Sequence, residues 1–283
     1  MQEAIRHILA THLSRAGAGT ASLLAAAALA QEPPPAIEAA PRPPFEGAMG
    51  LQLNNSPQYQ GSDLRKTRLI PGLYLRWGRF SLATSGNFVT RQDDEVVRGV
   101  GAELVQRPDL RVSLGLRYDP GRKTSASTDL SQLDEVRRTV RGRLSAVWQP
   151  AREWRLGAGW SNDLLGRGGG ALVDFGVARE FRLAPRTEWS LGANVSWGDE
   201  RYMQGRFGIS PQAAARSGKA AYVPGGGWRD ASLSTQWRHE IDKRWTTWAG
   251  ASVSRLIGPG VLDSPLTVQP TQTTLGAGFA WRF

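Results

Sequence analysis

Long runs of alternating apolar and polar residues constrain this chain more than any other feature. From Trp189 to Trp197 every odd-numbered residue is apolar, and every even-numbered residue is small or polar. The same pattern fills 110–118 and 274–283. A period of two places successive side chains on opposite faces of a β-strand, so each strand meets two different environments. Runs of about ten residues exceed the five or six usual in soluble sheets and match a tilted strand that crosses a bilayer.

Strands placed by this alternation predict an all-β fold, a transmembrane antiparallel up-and-down barrel of about twelve strands. The connections alternate between short and long, which is typical of periplasmic turns and outer loops. An even strand number puts both ends of the barrel in the periplasm. Segment 201–210 could form a strand or belong to a loop. A thirteenth strand would make the strand number odd, so the segment is assigned to loop 199–227. The predicted strands are 45–54, 67–77, 80–90, 96–106, 110–119, 138–149, 154–163, 170–181, 187–198, 228–240, 245–256 and 272–283.

The segments before the barrel have the composition of a targeting signal and a linker. A basic stretch is followed by the small-residue run 16–30, which ends in Ala-Leu-Ala, the pattern of a signal-peptidase site. We expect residues 1–30 to be a cleaved N-terminal signal peptide. Residues 31–44 are proline-rich and predict an extended periplasmic tail, because proline cannot continue a helix. The barrel is then predicted over 45–283.

Composition excludes several classes of protein and supports a barrel. No cysteine occurs among the 283 residues, so disulfides, thiolate metal sites and iron–sulfur clusters are excluded. No apolar run reaches the roughly 18 residues that a membrane-spanning helix needs. The negative mean hydropathy agrees with strands of which one face lines a polar lumen. The 11 tryptophans fall near strand ends, as in aromatic girdles, and alternation places all but Trp228 and Trp248 on the lipid face.

Short motifs spread along the chain resemble those of one family. Segment 56–63 (SPQYQGSD) is similar to the Pro-x-Tyr-x-Gly-Ser loop of the MltA-interacting protein and outer-membrane protein V family. Later loops and the last strand contain further matches in the family's order. The matching loop residues are Pro57, Tyr59, Gly61, Ser62, Asp63, Ser217, Gly218, Tyr222, Asp263, Ser264 and Pro265. Phe279, Trp281 and Phe283 resemble the terminal signal that outer-membrane assembly machinery reads.

This resemblance implies a location, a role and partners. It implies a barrel in the outer membrane of a Gram-negative bacterium, described as a scaffold that brings a murein hydrolase and a murein synthase together. Other members resemble surface antigens or adhesins, and loops 120–137 and 199–227 are the segments that would be displayed. The sequence offers its short turns and the tail 31–44 as periplasmic contact surface. No cofactor is implied.

The predicted lumen is rich in arginine. Alternation turns these arginines inward, since a charge on the lipid face costs roughly 2–4 kcal/mol at the bilayer midplane. Glu103 and Glu240 are the acidic partners that the pattern reveals. Two interpretations stay open, an interior filled by Arg–Glu pairs and plugged by loop 199–227, or a small anion-preferring channel. The inward arginines are Arg76, Arg111, Arg117, Arg141, Arg143, Arg155, Arg238 and Arg282.

The sequence indicates no catalytic site. A phospholipase-like barrel needs a serine activated by a histidine near the outer leaflet, whereas His239, the one histidine in 45–283, is predicted at the periplasmic end. No metal or nucleotide motif occurs. The net charge of +10 is spread over many strands, which argues against nucleic acid as a partner. We expect a non-enzymatic protein whose partners include outer-membrane lipid, with basic outer loops that meet lipopolysaccharide phosphates.

Overall fold

The computed structural model describes residues 44–85 and 98–283. In this described part, twelve antiparallel strands pair in chain order, and β12 closes back onto β1. The predicted all-β, up-and-down barrel is confirmed. The predicted signal peptide 1–30 and the tail up to residue 43 lie outside the described residues.

Alternation located the strands to within a few residues. The predicted limits of β5, β7, β9 and β11 agree with the structure at both ends. The strand predicted over 80–90 is described only to Ala83 as a strand, and 86–97 lie outside the described residues. The strands are β1 (Phe45–Pro57), β2 (Arg65–Trp77), β3 (Phe80–Ala83), β4 (Gly99–Gln106), β5 (Leu110–Asp119), β6 (Thr139–Ala151), β7 (Trp154–Asp163), β8 (Ala171–Ala184), β9 (Thr187–Gly198), β10 (Gly227–Glu240), β11 (Trp245–Leu256) and β12 (Thr271–Arg282).

Short helices occupy the long connections at the outer end of the barrel. Helix α1 covers most of 201–210, so this segment is not a thirteenth strand. It begins where the Asp199 side chain accepts a hydrogen bond from the Tyr202 amide (2.7 Å), a typical N-cap. The helices are α1 (Glu200–Phe207), α2 (Pro211–Ser217), the single turn α3 (Pro259–Leu262), and two 3-10 turns, Thr124–Ala126 and Thr128–Leu130. None of the helices in 44–85 and 98–283 is long and apolar enough to span a membrane.

The apolar residues divide between an exposed belt and buried clusters, most of which lie beneath the outer loops. Leucine side chains on the lipid face are exposed, such as that of Leu233, with 67% of its surface exposed. By contrast, Met203 and Phe207 of α1 are fully buried. They pack with Leu172 and Leu256 from the inner faces of β8 and β11. Most of the buried apolar core therefore lies inside the outer mouth, where α1 meets the barrel wall. A smaller cluster of Ala48, Tyr74, Ala83 and Ala280 lies towards the other end of the lumen.

A β-bulge at the start of β10 corrects one side-chain placement. Trp228 pairs with Trp197, but the next pair is Asp230 with Ser196, so Arg229 is an extra residue. Trp228 therefore shares the lipid face with Trp197, and the placement predicted by alternation was wrong because the bulge reverses the parity. Arg229 turns inward and donates to the hydroxyl of Tyr202. Trp248 does lie inside, with 5% of its surface exposed.

Candidate functional site

Ion pairs connect the strands of the barrel wall at the periplasmic end of the lumen. Arg76 of β2 lies 3.4 Å from the carboxylate of Glu46 on β1. Arg238 and Arg282 both bind one carboxylate oxygen of Glu240, at 2.6 and 3.0 Å. These side chains lie close to the closure of the barrel. The Arg76–Glu46 pair joins β2 to β1, and the Arg282–Glu240 pair joins β12 to β10 across β11.

Further arginines pair with carboxylates along the wall of β6, β7 and β8. Arg143 forms a two-pronged pair with Asp174, with both N–O distances at 2.7 Å. Arg155 lies 3.0 Å from Glu180. Bidentate arginine–carboxylate pairs are among the stronger side-chain contacts. The arginines of this wall therefore carry compensated charge.

The remaining lumen residues named by the sequence lie on β4 and β5. Arg111 and Arg117 share one face of β5, and Arg117 is opposite Arg141 of β6. Glu103 follows Gly99 and Gly101 on the inner face of β4, and its Oε2 atom has no hydrogen-bond partner among the described residues. Sequence reasoning named Glu240 but missed most other carboxylates, although the same alternation puts them on the inner face. The missed partners are Glu46, Asp119, Asp174, Glu180 and Glu188.

Helix α1 lies across the outer mouth with Tyr202 among three arginines. The guanidinium carbons of Arg141, Arg206 and Arg229 stand 5.5, 5.8 and 5.6 Å from the centre of the Tyr202 ring. Each cation–π contact is worth about 0.5–2 kcal/mol, depending on desolvation. The sequence did not single out Tyr202, since its role depends on strands far away in the chain.

Asp119 and Arg141 tie this helix to the opposite wall. Arg206 of α1 donates to both carboxylate oxygens of Asp119 on β5, at 3.0 and 2.9 Å. Arg141 is fully buried and lies 3.8 Å from the same carboxylate. It also donates to the carbonyls of Gly169 and Gly170, at 2.7 and 3.0 Å. Because α1 contacts β5 at one end and β8 to β11 along its apolar face, it crosses the lumen.

The first loop motif fixes loop 58–64 against the last loop. The carbonyl of Gly61 accepts hydrogen bonds from the amides of residues 268 and 269. Gly61 has a positive φ of 97°, and a Cβ there would stand 2.8 Å from the carbonyl oxygen of Leu266. Gln272 donates to the carbonyls of Tyr59 and Ser62. The motif therefore serves a close backbone approach between loops that are about 200 residues apart.

Tyr59 adds a contact to loop 120–138. Its hydroxyl donates to the carboxylate of Asp129 at 3.3 Å. Burial, together with the negative charge of Asp129, raises the pKa of Tyr59 to about 12. The phenol is thereby held neutral and serves as a hydrogen-bond donor.

The motifs of the two later loops join those loops to each other. Ser264 donates its hydroxyl to the carbonyl of Phe207 at the end of α1 (2.7 Å). The hydroxyl of Tyr222 donates to the carbonyls of Pro259 and Gly260 in α3. Gly218 ends α2 with a φ of 69°, a conformation that favours glycine.

The other motif residues occupy the ends of these elements. Pro57 is the last residue of β1, Asp63 lies exposed in the first loop, and Asp263 follows α3. The Ser217 hydroxyl accepts from the amide of Lys219, and Pro265 is half-buried. We call loops 58–64, 120–138, 199–226 and 257–270 together the outer plug. The motif residues lie in it or at its edge, and most of their contacts hold one loop to another.

The C-terminal aromatic residues line the lipid face at the periplasmic end. Phe283 exchanges backbone hydrogen bonds with Gly47, and its ring centroid lies 6.4 Å from that of Phe45. The rings of Trp281 and Phe283 are in tilted contact (5.4 Å between centroids), as are those of Phe279 and Trp245 (5.9 Å). The predicted terminal signal thus lies at the seam where β12 meets β1.

A polar cavity of about 250 Å³ lies in the lumen along the walls of β9 to β12 and β1. Its lining includes serine and threonine hydroxyls, amides and the Trp248 side chain, with no charged residue. The indole of Trp248 lies against Gly276, where a Cβ would stand 3.2 Å from the ring. The lumen therefore combines a neutral cavity with ion pairs, and it is not an uninterrupted ring of cations.

The short turns at the periplasmic end form a basic rim. Two acidic residues of these turns are already engaged. Asp109 lies 3.4 Å from Arg107, and the backbone N–H groups of Trp245 and Arg244 hold the pKa of the Asp242 carboxyl below its usual range. The basic rim consists of the exposed residues Arg79, Arg107, Arg152, Arg182, Arg186, Lys243 and Arg244.

No catalytic arrangement emerges around His239. Its ring lies parallel to that of Trp237 at 5.8 Å, and its Nδ1 atom contacts the hydroxyl of Thr187 (2.9 Å). Both neighbours belong to the lipid-facing surface at the periplasmic end. Within 44–85 and 98–283, no group of histidines and carboxylates has the arrangement of a metal site.

Solved outer-membrane barrels resemble this fold at low sequence identity. They include the outer-membrane channel DcaP of Acinetobacter baumannii, with a TM-score of 0.39 and 10% identity over 84% of this chain and 96% of that chain. The NanC porin has a TM-score of 0.40 and 9% identity over 82% and 98% of the two chains. The CymD monoaromatic hydrocarbon channel has a TM-score of 0.40 and 11% identity over 86% and 89%. No curated protein sequence matches this chain.

A family model gives the assignment. The model described as MltA-interacting protein MipA matches residues 49–283, which run from β1 to the C-terminus. The matched region contains the outer plug and nearly the whole barrel. The chain therefore belongs to the MltA-interacting protein MipA family, as a twelve-stranded β-barrel of the Gram-negative outer membrane.

Proposed function

We propose that this protein is a non-catalytic barrel whose basic rim docks a murein-acting enzyme at the inner face of the outer membrane. The observation that carries the proposal is the rim itself, since each short periplasmic turn or its adjoining strand end presents an exposed arginine or lysine. The family description adds the kind of partner, because it names a protein that interacts with MltA. The proposed role is a scaffold.

The inside of the barrel supports this role over transport. The outer plug packs across the mouth, and most of the lumen arginines are paired with carboxylates. An anion-preferring channel needs rings of available cationic side chains. Charge that is paired within the wall neither attracts a solute nor reaches a partner. The exposed positive charge of the periplasmic end is therefore on the rim, at Arg79, Arg152, Arg186, Lys243 and Arg244.

A rim of this kind fits an enzyme with an acidic surface patch. An exposed ion pair contributes about 0–1 kcal/mol, so no one arginine is expected to decide binding. Several charges of one sign on one surface act together, chiefly by raising the association rate and fixing orientation. We expect binding that weakens as salt is raised, because the Debye length falls to about 8 Å at physiological ionic strength.

Charge reversal on the rim tests the proposal. The test variant carries Arg152→Glu, Arg186→Glu and Arg244→Glu, and the control carries Lys123→Glu and Arg201→Glu in the outer plug. Purified barrels in nanodiscs are immobilised, and the binding of purified murein hydrolase and murein synthase is measured by surface plasmon resonance. We expect at least tenfold weaker binding for the rim variant and unchanged binding for the control. Equal binding by the rim variant and the wild type would refute docking at the rim.

A further inference from the structure

A groove interrupts the lipid-facing surface of β8 to β11 in its outer half. Residues paired across β8, β9, β10 and β11 surround the groove. Ala193 and Ala231 form its floor, and their neighbours are larger. Its volume is about 570 Å³. The lipid-facing residues around the groove are Phe175, Val177, Val195, Leu233, Val253 and Arg255.

The shape of this groove suits one ordered acyl chain. The alanine floor leaves a depression that neighbouring side chains of the wall do not fill. Protein interiors gain from many weak contacts between close-packed carbon atoms, and a hydrocarbon chain in such a depression makes contacts on three sides. A flat lipid-facing surface would make them on one side.

Two arginines converge beside the outer end of the groove, on the lipid face of β12. Arg255 lines the groove and donates to the hydroxyl of Thr271 at 3.3 Å. Arg65 reaches from β2 over β1. Its Nε atom donates to Oδ1 of Asn55 (2.7 Å), its Nη2 atom donates to the carbonyl (3.3 Å) and to Oδ1 of the same residue, and its Nη1 atom donates to the carbonyl of Thr273 (2.8 Å). Thr271 and Thr273 are two residues apart, about 7 Å along a strand. A guanidinium has five N–H donors. The contacts of Arg255 use one of them and those of Arg65 use four, so Arg255 has the larger number left for a ligand.

The depth of these arginines points to a headgroup. Trp197 and Trp228 pair at the outer ends of β9 and β10, the level at which barrels carry aromatic girdles. Cations on the lipid face are tolerated at the interface and costly at the midplane. Arginine binds phosphate through parallel N–H donors. The site thus offers cations near headgroup depth beside an acyl-chain groove, since Arg255 is paired in register with Ala231 of the groove floor.

We propose that this surface binds one molecule of lipopolysaccharide through its lipid A part. One acyl chain lies in the groove floored by Ala193 and Ala231, and a phosphate of the glucosamine headgroup binds between Arg65 and Arg255. The site lies at the end of the barrel opposite the basic rim, so it goes beyond the docking role and can fail without affecting it.

Native mass spectrometry of the barrel with purified lipid A tests this site. The variants are Arg65→Gln with Arg255→Gln for the phosphate, and Ala193→Leu with Ala231→Leu for the groove. The single-substitution controls are Arg179→Gln, at a lipid-facing arginine of the periplasmic end that packs on Trp154 and Phe181, and Ala249→Leu on β11. We expect one bound lipid A on the wild type and on both controls. Affinity should fall at least tenfold in each test variant.

The lipid itself provides a second measurement that needs no variant. Lipid A stripped of its phosphates should bind the wild-type barrel at least tenfold more weakly than intact lipid A. Phosphatidylglycerol, which has a phosphate but a smaller headgroup and fewer chains, should also bind more weakly. Equal binding of all three lipids, or unchanged binding by both test variants, would overturn the proposal.

Discussion

Asp119 is the carboxylate on which the attachment of α1 to the barrel wall depends. It accepts two hydrogen bonds from Arg206 and one from the amide of Gly121 (2.9 Å), and it lies 3.8 Å from the fully buried Arg141. The substitution Asp119→Asn keeps the size of the side chain and removes its charge. Arg206 and Arg141 would then share no carboxylate at this point of the lumen.

The loss of folding stability expected for Asp119→Asn follows from the burial of this ion pair. Removing one partner of a buried ion pair costs about 3–5 kcal/mol, because the other charge stays buried and uncompensated. The Asp119 side chain is 6% exposed and that of Arg206 is 29% exposed, so water can reach Arg206 in part. We therefore expect the lower end, about 3 kcal/mol, which corresponds to about a hundredfold change in the folding equilibrium.

Urea unfolding of the barrel in lipid vesicles, followed by tryptophan fluorescence, measures this change. Asp109→Asn is the matched control, since Asp109 pairs with Arg107 at an exposed turn where the side chains are 48% and 66% exposed. An exposed pair is worth about 0–1 kcal/mol. If Asp119→Asn destabilised the barrel no more than Asp109→Asn does, the assignment of Asp119 as a buried anchor of the plug would be refuted.

Three further predictions concern the outer plug. Gly61→Ala should destabilise the barrel by about 1–2 kcal/mol in the urea assay, because φ is 97° and the added Cβ meets the carbonyl of Leu266. The stability contribution of Tyr59, whose pKa is raised to about 12, should be full below pH 10 and fall as the pH rises towards 12; Tyr59→Phe should remove this fall. Replacing residues 200–217 with a short Gly-Ser linker should raise single-channel conductance in planar bilayers. Conductance unchanged from the wild type would contradict closure by α1.

Alternation predicts which residues of this barrel face the lumen, because a strand that separates lipid from a polar interior has two dissimilar faces. It therefore locates Arg143 and Arg155 correctly on the inner wall. Their partners require the register between strands and the reach of each side chain, neither of which a period of two contains. Asp174 could be listed as a candidate from its parity alone, but its two-pronged contact with Arg143 required the structure.

The bulge at Arg229 and the position of the outer plug are two further features that the sequence alone does not predict. One extra residue in β10 reverses the parity of Trp228, and no residue type in Gly-Trp-Arg-Asp marks it. The capping residue Asp199 is a local signal for α1, so the helix itself can be predicted from the sequence. The place of that helix inside the barrel depends on Arg141, far away in the chain, and contacts of that range leave no local pattern.

The positive charge of this chain is therefore divided by its environment. Inside the barrel, arginines such as Arg143 and Arg282 are matched with carboxylates two strands away, because an uncompensated charge in a narrow lumen is costly. The excess over neutrality falls on the ends of the barrel, where water and headgroups solvate it. Arg65 and Arg255 occupy the outer interface on the lipid side, and the basic rim occupies the periplasmic end. Our two proposals place the charge-dependent partners at these ends, with lipid phosphates at the outer end and an acidic protein surface at the periplasmic end.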